Sequence, residues 1–571
     1  MRSESVMRTV GIGIQDFTEL REGNYFYIDK TNFIKEWWES GDSVTLITRP
    51  RRFGKTINMS MVEQFFSVDY ADRGDLFEGL SIWEEEKYQQ LQGTYPVISL
   101  SFARVKETDF DSTVKRMLEI LMAQFKKNTF LIESDKLSVD ERDYVQRMQK
   151  DMTTFDAGSS LHWLSEYLYK HYGKKVIILL DEYDTPMQEA YVNGFWDEMV
   201  AFTRSLFNST FKTNPSMLRG IMTGITRVSK ESMFSDLNNL KVVTTTSNEY
   251  ATSFGFTEEE VFTSLEECSL GREKKEVKRW YDGFVFGEYK DIYNPWSILN
   301  FLDTGKYDIY WANTSSNRLV SKLIQESNEE TKKTFADLLE GKVIRCPIDE
   351  QIVYDQLDDN QESIWSLLLA SGYLKVLDRE YVNEIEEEDE PNYDLTLTNL
   401  EVRKMFKRMV KSWFSKSKAN YNSFIKAMLQ KDVKAMNVYM NRISLSLFSY
   451  FDTGNRPSGK EPERFYHGFV LGLLVELQKD YVVTSNRESG FGRYDIMLEP
   501  KNPIKDVGVI IEFKVHDPDD EQDLGDTVKE ALCQINKMQY ATTLENRGVP
   551  AERVYKYGFA FEGKKVLIGA D

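Results

Sequence analysis

The chain has 571 residues, of which 41% are hydrophobic and 13% aromatic, and its formal net charge is −20. One hydrophobic core cannot organise a chain of this length, so two to four domains are expected. The sequence has no apolar run near the ~20 residues that span a bilayer, and its first residues lack the apolar core of a signal peptide. The acidic balance argues against a general nucleic-acid coat protein but allows a local basic patch.

Cysteine and histidine usage argues against a zinc site. Cys268, Cys346 and Cys533 are far apart and lack metal-ligand spacing, as expected of reduced thiols. The four histidines form neither an HxH nor an HExxH pattern. We therefore expect a cytoplasmic protein without disulfides and with no membrane association.

A phosphate-binding loop is predicted where a short apolar strand runs into Gly54, Lys55 and Thr56 and an amphipathic helix follows. Lys55 is expected to reach the β- and γ-phosphates of ATP, and the Thr56 hydroxyl to hold Mg²⁺. Arg52 and Phe53 complete the predicted ATP-binding loop with Gly54. The usual pattern has a further glycine five residues before Gly54, where this chain has Arg49.

A second strand, Val176–Leu180, consists of five successive apolar residues, as in a parallel sheet that is covered on both faces. Asp181 and Glu182 follow at its carboxyl end, where ligands bind in open α/β sheets. Asp181 is expected to hold Mg²⁺, and Glu182 to position or deprotonate the attacking water. The alternative is that the two acidic residues cap a helix, which the ordered pair of motifs makes the weaker interpretation.

A further strand over residues 217–224 is followed by Ile225–Ser229. Thr223 is the candidate for sensing the γ-phosphate. Arg227 is the candidate for stabilising transition-state charge, either in its own chain or in a neighbouring subunit. Either residue could equally be an ordinary turn residue.

These motifs resemble the prokaryotic AAA-ATPase-like family. The matching segments are residues 49–56, 180–186, 280–284 and 293–297. In that family an arginine at the position of Arg49 is usual, and members commonly carry a C-terminal PD-(D/E)XK nuclease-like domain. The resemblance implies an α/β fold with an N-terminal P-loop, AAA-like parallel-sheet ATPase domain over residues 1–245. A helical, winged-helix-like middle region would follow over residues 246–420. A C-terminal α/β PD-(D/E)XK nuclease-like domain would then occupy residues 421–571.

The middle region has three local patterns. Thr257 and Glu260 predict a capping box at a helix start, and residues 364–376 predict a helix, a turn and a strand, as in a winged helix. The acidic run Glu384–Glu390 predicts an exposed loop. Basic and apolar residues then alternate at helical spacing over residues 403–418. This helix could contact a phosphate backbone, or its basic face could be solvated and offset the charge of the acidic loop. The two interpretations are equally supported.

The last 150 residues contain a second candidate site. Strand periodicity over residues 493–498 and 507–515 places Glu512 and Lys514 on one face and lets Asp495 converge with them if the two strands pair. Two carboxylates suit a divalent metal, which activates water, and the lysine would orient that water or balance transition-state charge. The alternative is a surface ion pair on a sheet. By the resemblance, Glu463 would be a further metal ligand and Gln534 would contact the metal-bound water or phosphate, whereas Tyr540 would only pack.

Two functional hypotheses follow. In the first, the protein binds and hydrolyses ATP and its nuclease domain cleaves nucleic acid, with DNA favoured, under control of the nucleotide state. Its cofactors would be ATP and Mg²⁺, with Mg²⁺ or Mn²⁺ at the nuclease site, and it could form a homo-oligomer. In the second, it is a nucleotide-switched binding or signalling protein whose inactive nuclease fold recruits a partner. Two intact acidic constellations favour the first, and the net charge favours the second.

Overall fold

A computed structural model describes residues 9–227, 237–312, 318–327, 329–349, 363–379, 391–414, 418–447, 470, 474, 477, 480–489, 492–518, 521–562 and 565–571. Backbone contacts divide the chain into two units. The first unit comprises Met1–Val320 and Arg345–Arg403, and the second comprises Ser321–Ile344 and Lys404–Asp571. In the described ranges, no helix has the length and apolar character to cross a membrane.

The first unit is built on a parallel sheet. Its strands are β1 (Val44–Thr48), β2 (Val97–Ser101), β3 (Val176–Asp181), β4 (Met217–Gly224) and β5 (Leu240–Val243), in the order β2-β3-β4-β1-β5. Every residue of β1 and β3 is buried, because helices cover both faces of the sheet. The strands that carry the two predicted phosphate motifs therefore flank β4 and end at the same edge.

Helices connect and cover these strands. They are α1 (Phe17–Glu22), α2 (Asn32–Ser40), α3 (Lys55–Phe66), α4 (Glu86–Gln89), α5 (Phe110–Lys127), α6 (Val139–Met148), α7 (Thr154–Tyr172), α8 (Thr185–Asn193) and α9 (Trp196–Phe207). The sequence sets their ends. For example, Thr153 and Asp156 form a capping box at the start of α7, and Gly173 ends it in the left-handed region at φ 69°.

The chain continues through a largely helical region with small sheets. Its elements are β6 (Phe256–Thr257), α10 (Glu258–Glu267), α11 (Lys274–Tyr281), β7 (Phe284–Phe286), β8 (Tyr289–Tyr293), α12 (Pro295–Thr304), α13 (Arg318–Glu326), α14 (Glu329–Glu340), β9 (Ile344–Pro347), α15 (Ser363–Ala370), β10 (Leu374–Arg379), β11 (Asn392–Leu397) and α16 (Leu400–Phe414). The capping box of Thr257 and Glu260 is confirmed, as is the helix–turn–strand pattern in α15 and β10. In α16, Lys404, Lys407 and Arg408 are exposed while Met405, Phe406 and Met409 are buried, so the predicted basic and apolar faces are confirmed over residues 403–410.

The second unit contains a mixed sheet. Its strands are β12 (Tyr481–Ser489), β13 (Gly492–Pro500), β14 (Gly508–Val515), β15 (Val554–Glu562) and β16 (Lys565–Ala570), paired in chain order, and only β14 and β15 run parallel. Its further helices are α17 (Lys418–Leu429), α18 (Val433–Leu447), α19 (Leu524–Lys537) and α20 (Ala541–Glu545). Alternate residues of β14 enter two different cores: Val509 and Ile511 pack with α17 and α18, whereas Ile510 packs with Ile535 and Tyr540.

The α/β fold class is thus confirmed, with a parallel N-terminal sheet, a helical middle and a mixed C-terminal sheet. The two contact-based units do not follow the predicted boundaries at 245 and 420, which stay a prediction. The acidic run Glu384–Glu390, Lys416 and Glu463 lie outside the described residues.

A buried guanidinium fixes the loop after β1. The Arg49 side chain is 0% exposed and donates to the carbonyl oxygens of Thr48 at 2.9 Å, Thr244 at 2.6 Å and Glu249 at 3.1 Å. It also lies over the Phe286 ring, 4.5 Å from the centroid. Burial lowers the pKa of Arg49 to about 9. The arginine therefore braces the loop against the chain after β5, a role that the usual glycine could not perform.

A buried carboxyl group fixes the end of β4. Asp184 Oδ2 accepts from the backbone N–H of Ile225 at 2.9 Å, from the N–H of Thr226 at 3.0 Å and from its hydroxyl at 3.1 Å. Asp184 Oδ1 is buried without a hydrogen-bond partner among the described residues. Burial, reinforced by the charge of Glu182, raises the pKa of Asp184 to about 6. This contact holds the chain that leaves β4 against the start of α8.

Replacing Arg49 should destabilise the first unit. Arg49→Met leaves the carbonyls of Thr244 and Glu249 buried without a donor, at a cost of roughly 2–5 kcal/mol. Arg49→Gly, which restores the usual glycine, should not rescue the loss. Thermal unfolding followed by calorimetry measures this loss of stability. Arg116→Ala, at a side chain that is 49% exposed, is the control and should change stability by less than ~0.5 kcal/mol. A glycine variant as stable as the wild type would contradict the role of Arg49.

Asp184 should make stability depend on pH. The pKa of Asp184 is raised in the folded state, so the folded state binds the proton more tightly than the unfolded state does. The resulting contribution to the free energy of unfolding is complete below pH 3.8 and is lost as pH rises through about 6. Asp184→Asn keeps the acceptor oxygen and removes the charge. The stability of this variant relative to the wild type should therefore rise across that window by up to about 3 kcal/mol. Chemical denaturation of both proteins at several pH values measures the difference, and a difference independent of pH would contradict it.

Candidate functional sites

The loop after β1 delivers backbone N–H groups to the start of α3. Arg52 has φ 66° and Gly54 has φ 83°, so both residues occupy the left-handed region. Such turns point successive N–H groups toward one side, and at a helix start they form an anion site. Gly54 directly precedes Lys55, the first residue of α3. The local backbone is therefore that of the predicted phosphate loop.

Lys55 lies inside this loop. Its ammonium donates to the carbonyl oxygens of Arg49 at 3.0 Å and Pro50 at 3.1 Å, and it lies 3.4 Å from Glu182 Oε1. The residue is only 3% exposed. The loop thus holds one buried cation at the point where the strand β3 brings a carboxylate to it.

Three predicted residues from different elements meet beside Lys55. The Thr56 hydroxyl donates to Asp181 Oδ2 at 2.8 Å, and the Thr223 hydroxyl donates to Asp181 Oδ1. Burial and the neighbouring charge of Glu182 raise the pKa of Asp181, and hydrogen bonds from Thr223 and Thr56 oppose the rise. A hydroxyl and a carboxylate in direct contact are hard oxygen donors, and this donor set fits Mg²⁺.

Glu182 lies at the turn after β3 with φ 53°, a conformation that costs a non-glycine residue about 1 kcal/mol or more. Its N–H donates to the Thr223 hydroxyl at 3.3 Å. The turn directs the carboxylate toward Lys55, where it can meet a nucleotide phosphate. Strain of this kind is common at functional sites because the surrounding structure must impose it.

The other predicted nucleotide residues are placed differently. The Phe53 ring is 1% exposed and packs on Phe284, 4.7 Å between centroids, so only its backbone can face a phosphate. The Arg52 guanidinium lies 4.2 Å above the Trp296 ring. Arg227 follows β4 and makes no hydrogen bond to Lys55 or Asp181 within the described part of the chain.

Sequence reasoning assigned no role to three residues that organise this site. Asp184 and Asn294 lie within the segments 180–186 and 293–297, and Asn294 Nδ2 donates to the Arg51 carbonyl at 3.2 Å. Glu401 is buried and accepts from Ser297 Oγ and from the N–H groups of Tyr310 and Trp311. In the sequence, each of these three residues is a polar residue beside an apolar run. This pattern does not differ from that of an ordinary helix cap.

The second site lies where β13 and β14 separate. The strands pair Ile496 with Ile511, and this register, continued by one residue, sets Asp495 opposite Glu512. Asp495 Oδ2 accepts from the N–H of Phe513 at 2.9 Å. Glu512 is 3% exposed, and its carboxylate accepts from the Gln534 amide on α19. Strand pairing therefore brings the two predicted carboxylates to one face.

Lys514 and Gln534 meet the same face. Lys514 Nζ lies 3.4 Å from Glu530, one helical turn before Gln534 on α19. Tyr540 is 1% exposed and packs in the core as expected, and it also hydrogen-bonds Gln534. Burial raises the pKa of Tyr540. Glu530 is a site residue that sequence reasoning did not identify.

The donor chemistry at this face fits a divalent metal only in part. Asp495 and Glu512 carry hard oxygen donors of the kind that Mg²⁺ and Mn²⁺ prefer, and Lys514 lies beside them. A group of three acidic, histidine or cysteine residues able to hold a metal does not occur among the residues that the structure describes. The predicted third ligand, Glu463, lies outside them. The Asp495 and Glu512 pair is therefore the described portion of a candidate metal site.

Comparisons with known proteins match the two domains that contain these candidate sites. Residues 11–234 match the family model described as a predicted AAA-ATPase, and residues 461–571 match the PD-(D/E)XK nuclease superfamily. A protein of Azotobacter chroococcum mcd 1, named "Uncharacterized protein in vnfD 5'region", is 25% identical over 395 residues, which are 69% of this chain and 68% of that protein. The chain thus carries an AAA-ATPase-like domain followed by a PD-(D/E)XK nuclease superfamily domain.

Proposed function

We propose that the first site binds and hydrolyses ATP. The observation that carries this proposal is a convergence of five side chains from α3, from the end of β3 and from β4: Lys55, Thr56, Asp181, Glu182 and Thr223. The loop N–H groups and Lys55 would bind the phosphates, Thr56 and Asp181 would hold Mg²⁺, and Glu182 would take a proton from the attacking water. The Mg²⁺ ion, when bound, would offset the charge of the β- and γ-phosphates.

We propose further that the second site cleaves phosphodiester bonds in nucleic acid. Asp495 and Glu512 would hold Mg²⁺ or Mn²⁺, with Glu463 as a third ligand, and Gln534 fixes the orientation of the Glu512 carboxylate. The bound metal would lower the pKa of a water ligand and offset phosphate charge. Lys514 would orient the water or balance the charge of the transition state, and Glu530 holds its ammonium near the site.

The nucleotide state would license cleavage, and DNA is the favoured substrate. The exposed basic face of α16, which includes Lys404, Lys407 and Arg408, supports contact with a phosphate backbone. Three free cysteines support a cytoplasmic location. The net charge of −20 favours the second candidate, in which the nuclease fold binds a partner without cleaving.

One experiment separates these candidates. Purified protein is incubated with duplex DNA, single-stranded DNA or RNA, with Mg²⁺ or Mn²⁺, in the presence and absence of ATP. Cleavage that needs the metal and responds to ATP supports the proposal. Binding without cleavage of any of these substrates would transfer support to the partner-binding candidate.

Substitutions at the first site should separate binding from hydrolysis. Lys55→Ala should abolish ATP binding because it removes the charge that pairs with the β- and γ-phosphates. Glu182→Gln should keep ATP binding and lose hydrolysis, since the amide cannot accept the proton. Calorimetry measures binding and phosphate release measures hydrolysis. Unchanged ATP affinity in Lys55→Ala would show that the loop is not the site.

Substitutions at the second site should separate metal binding from rate. Asp495→Asn should weaken metal affinity, because a neutral amide is a poorer hard-oxygen ligand, and added Mn²⁺ should partly restore cleavage. Lys514→Ala should keep the metal but slow cleavage by roughly 10²–10³-fold, and added Mn²⁺ should not restore it. Lys501→Ala, at an exposed residue after β13, is the control. Full-rate cleavage in both site variants would exclude this site.

A further inference from the structure

The three arginines of the loop have three different surroundings. Arg49 is buried among backbone carbonyls, and Arg52 is exposed and lies over Trp296. Arg51 is half-buried, and its Nη2 donates to the side-chain oxygen of Gln188 at 3.1 Å. Consecutive arginines thus point in different directions, because the left-handed conformation at Arg52 turns the chain.

Arg51 lines a cavity of about 100 Å³ beside the loop. The other lining residues include Gln188 and Glu189 on α8, Ile225 after β4, and Trp311 and Tyr373 from later segments of the same unit. Ile225 comes two residues after Thr223, and Gln188 lies on the helix that begins after Glu182. The cavity therefore adjoins the end of the nucleotide site where the γ-phosphate would lie.

The charge of Arg51 is available to an anion. Among the described residues, no carboxylate lies within ion-pair distance of Arg51, and its side chain hydrogen-bonds the neutral amide of Gln188. A half-buried guanidinium interacts more strongly with a phosphate than one in water, because the local dielectric constant is lower. Gln188 fixes its direction without neutralising it.

We propose that Arg51 is the arginine that stabilises the transition state of ATP hydrolysis, and that it acts within its own chain. This proposal rests on the proposed ATPase function. Water adds to the γ-phosphorus and gives its proton to Glu182, while the bond from phosphorus to the bridging oxygen breaks and its electron pair leaves with ADP. Arg51 pairs with the negative charge on the γ-phosphate oxygens during this step. It replaces Arg227 as the candidate for this role.

The origin of the cavity walls supports action within one chain. Trp311 and Tyr373 cover the cavity from the same unit as the loop, and Gly372, at φ 82°, lets the chain approach Pro50: a side-chain carbon there would lie 2.8 Å from the proline ring. The cavity beside the predicted γ-phosphate position is thus lined by residues of this chain, and one of them is an arginine. A neighbouring subunit is not needed to supply one.

The test uses the full chain and compares ATP binding, hydrolysis and binding of ADP with aluminium fluoride, which mimics the transferring phosphate. Arg51→Ala and Arg51→Gln should keep ATP affinity within about tenfold and lower the hydrolysis rate by roughly a thousandfold or more. Both should lose the tighter binding of ADP that aluminium fluoride gives to the wild type. Arg51→Lys should recover part of the rate, and Gln188→Ala should lower it less than Arg51→Ala. Arg116→Ala is the matched control.

The outcomes distinguish this proposal from the one on which it rests. If the wild type does not bind ATP, the proposed ATPase function fails and the role of Arg51 fails with it. If the wild type hydrolyses ATP and Arg51→Ala stays within tenfold of its rate, only the role of Arg51 fails. Loss of ATP binding as complete as in Lys55→Ala would also overturn a transition-state role. A rate per chain that rises with protein concentration, or a large loss in Arg227→Ala alone, would overturn action by Arg51 within one chain.

Discussion

The geometry of the candidate nucleotide site depends on the burial of one charged side chain, that of Arg49. Taking a guanidinium out of water costs several kcal/mol unless its donors are satisfied. Here the two terminal nitrogens of Arg49 donate to three carbonyl groups, two of them in the chain after β5, and the guanidinium lies over an aromatic ring. Its Nε is buried without a hydrogen-bond partner among the described residues. The phosphate loop is consequently tied to a segment almost 200 residues away. On the proposed function, a loop held in this way would bind the phosphates with little rearrangement.

Sequence patterns predicted the parts of the fold that local periodicity controls. A parallel strand buried on both faces must be apolar throughout, which identified β3, and alternation along β14 placed Glu512 and Lys514 together. Partners that are distant in sequence were not predictable in the same way. The contact of Asn294 with the Arg51 carbonyl joins residues 243 positions apart, and the positive φ at Arg52 determines where each arginine points. Neither leaves a periodic signal in the sequence.

Contacts between the loop and later segments of the chain explain why the end of the first domain is difficult to predict from this sequence. The central sheet ends with β5 at Val243, which makes residue 245 a natural limit for a sheet-based prediction. Later segments nevertheless contact the loop directly. The N–H of Gly255 donates to the Phe53 carbonyl at 3.2 Å, and Gly255, at φ 86°, leaves room for the Phe53 ring. Chain segments that follow the central sheet thus contribute to the candidate site as directly as the strands of that sheet do.

On the proposed function, the contacts of Lys55 would couple nucleotide binding to the chemistry of Glu182. An ammonium has three protons to donate, and those of Lys55 face two loop carbonyls and the Glu182 carboxylate. The carbonyls belong to the loop, whose conformation Arg49 fixes, so the carboxylate is the partner that a phosphate can most readily replace. A γ-phosphate that takes this position would free the Glu182 carboxylate from Lys55, so that it can face the attacking water. The Glu182 carboxylate would then be directed at the water only when ATP is bound, which would limit proton abstraction to the complex in which it is useful.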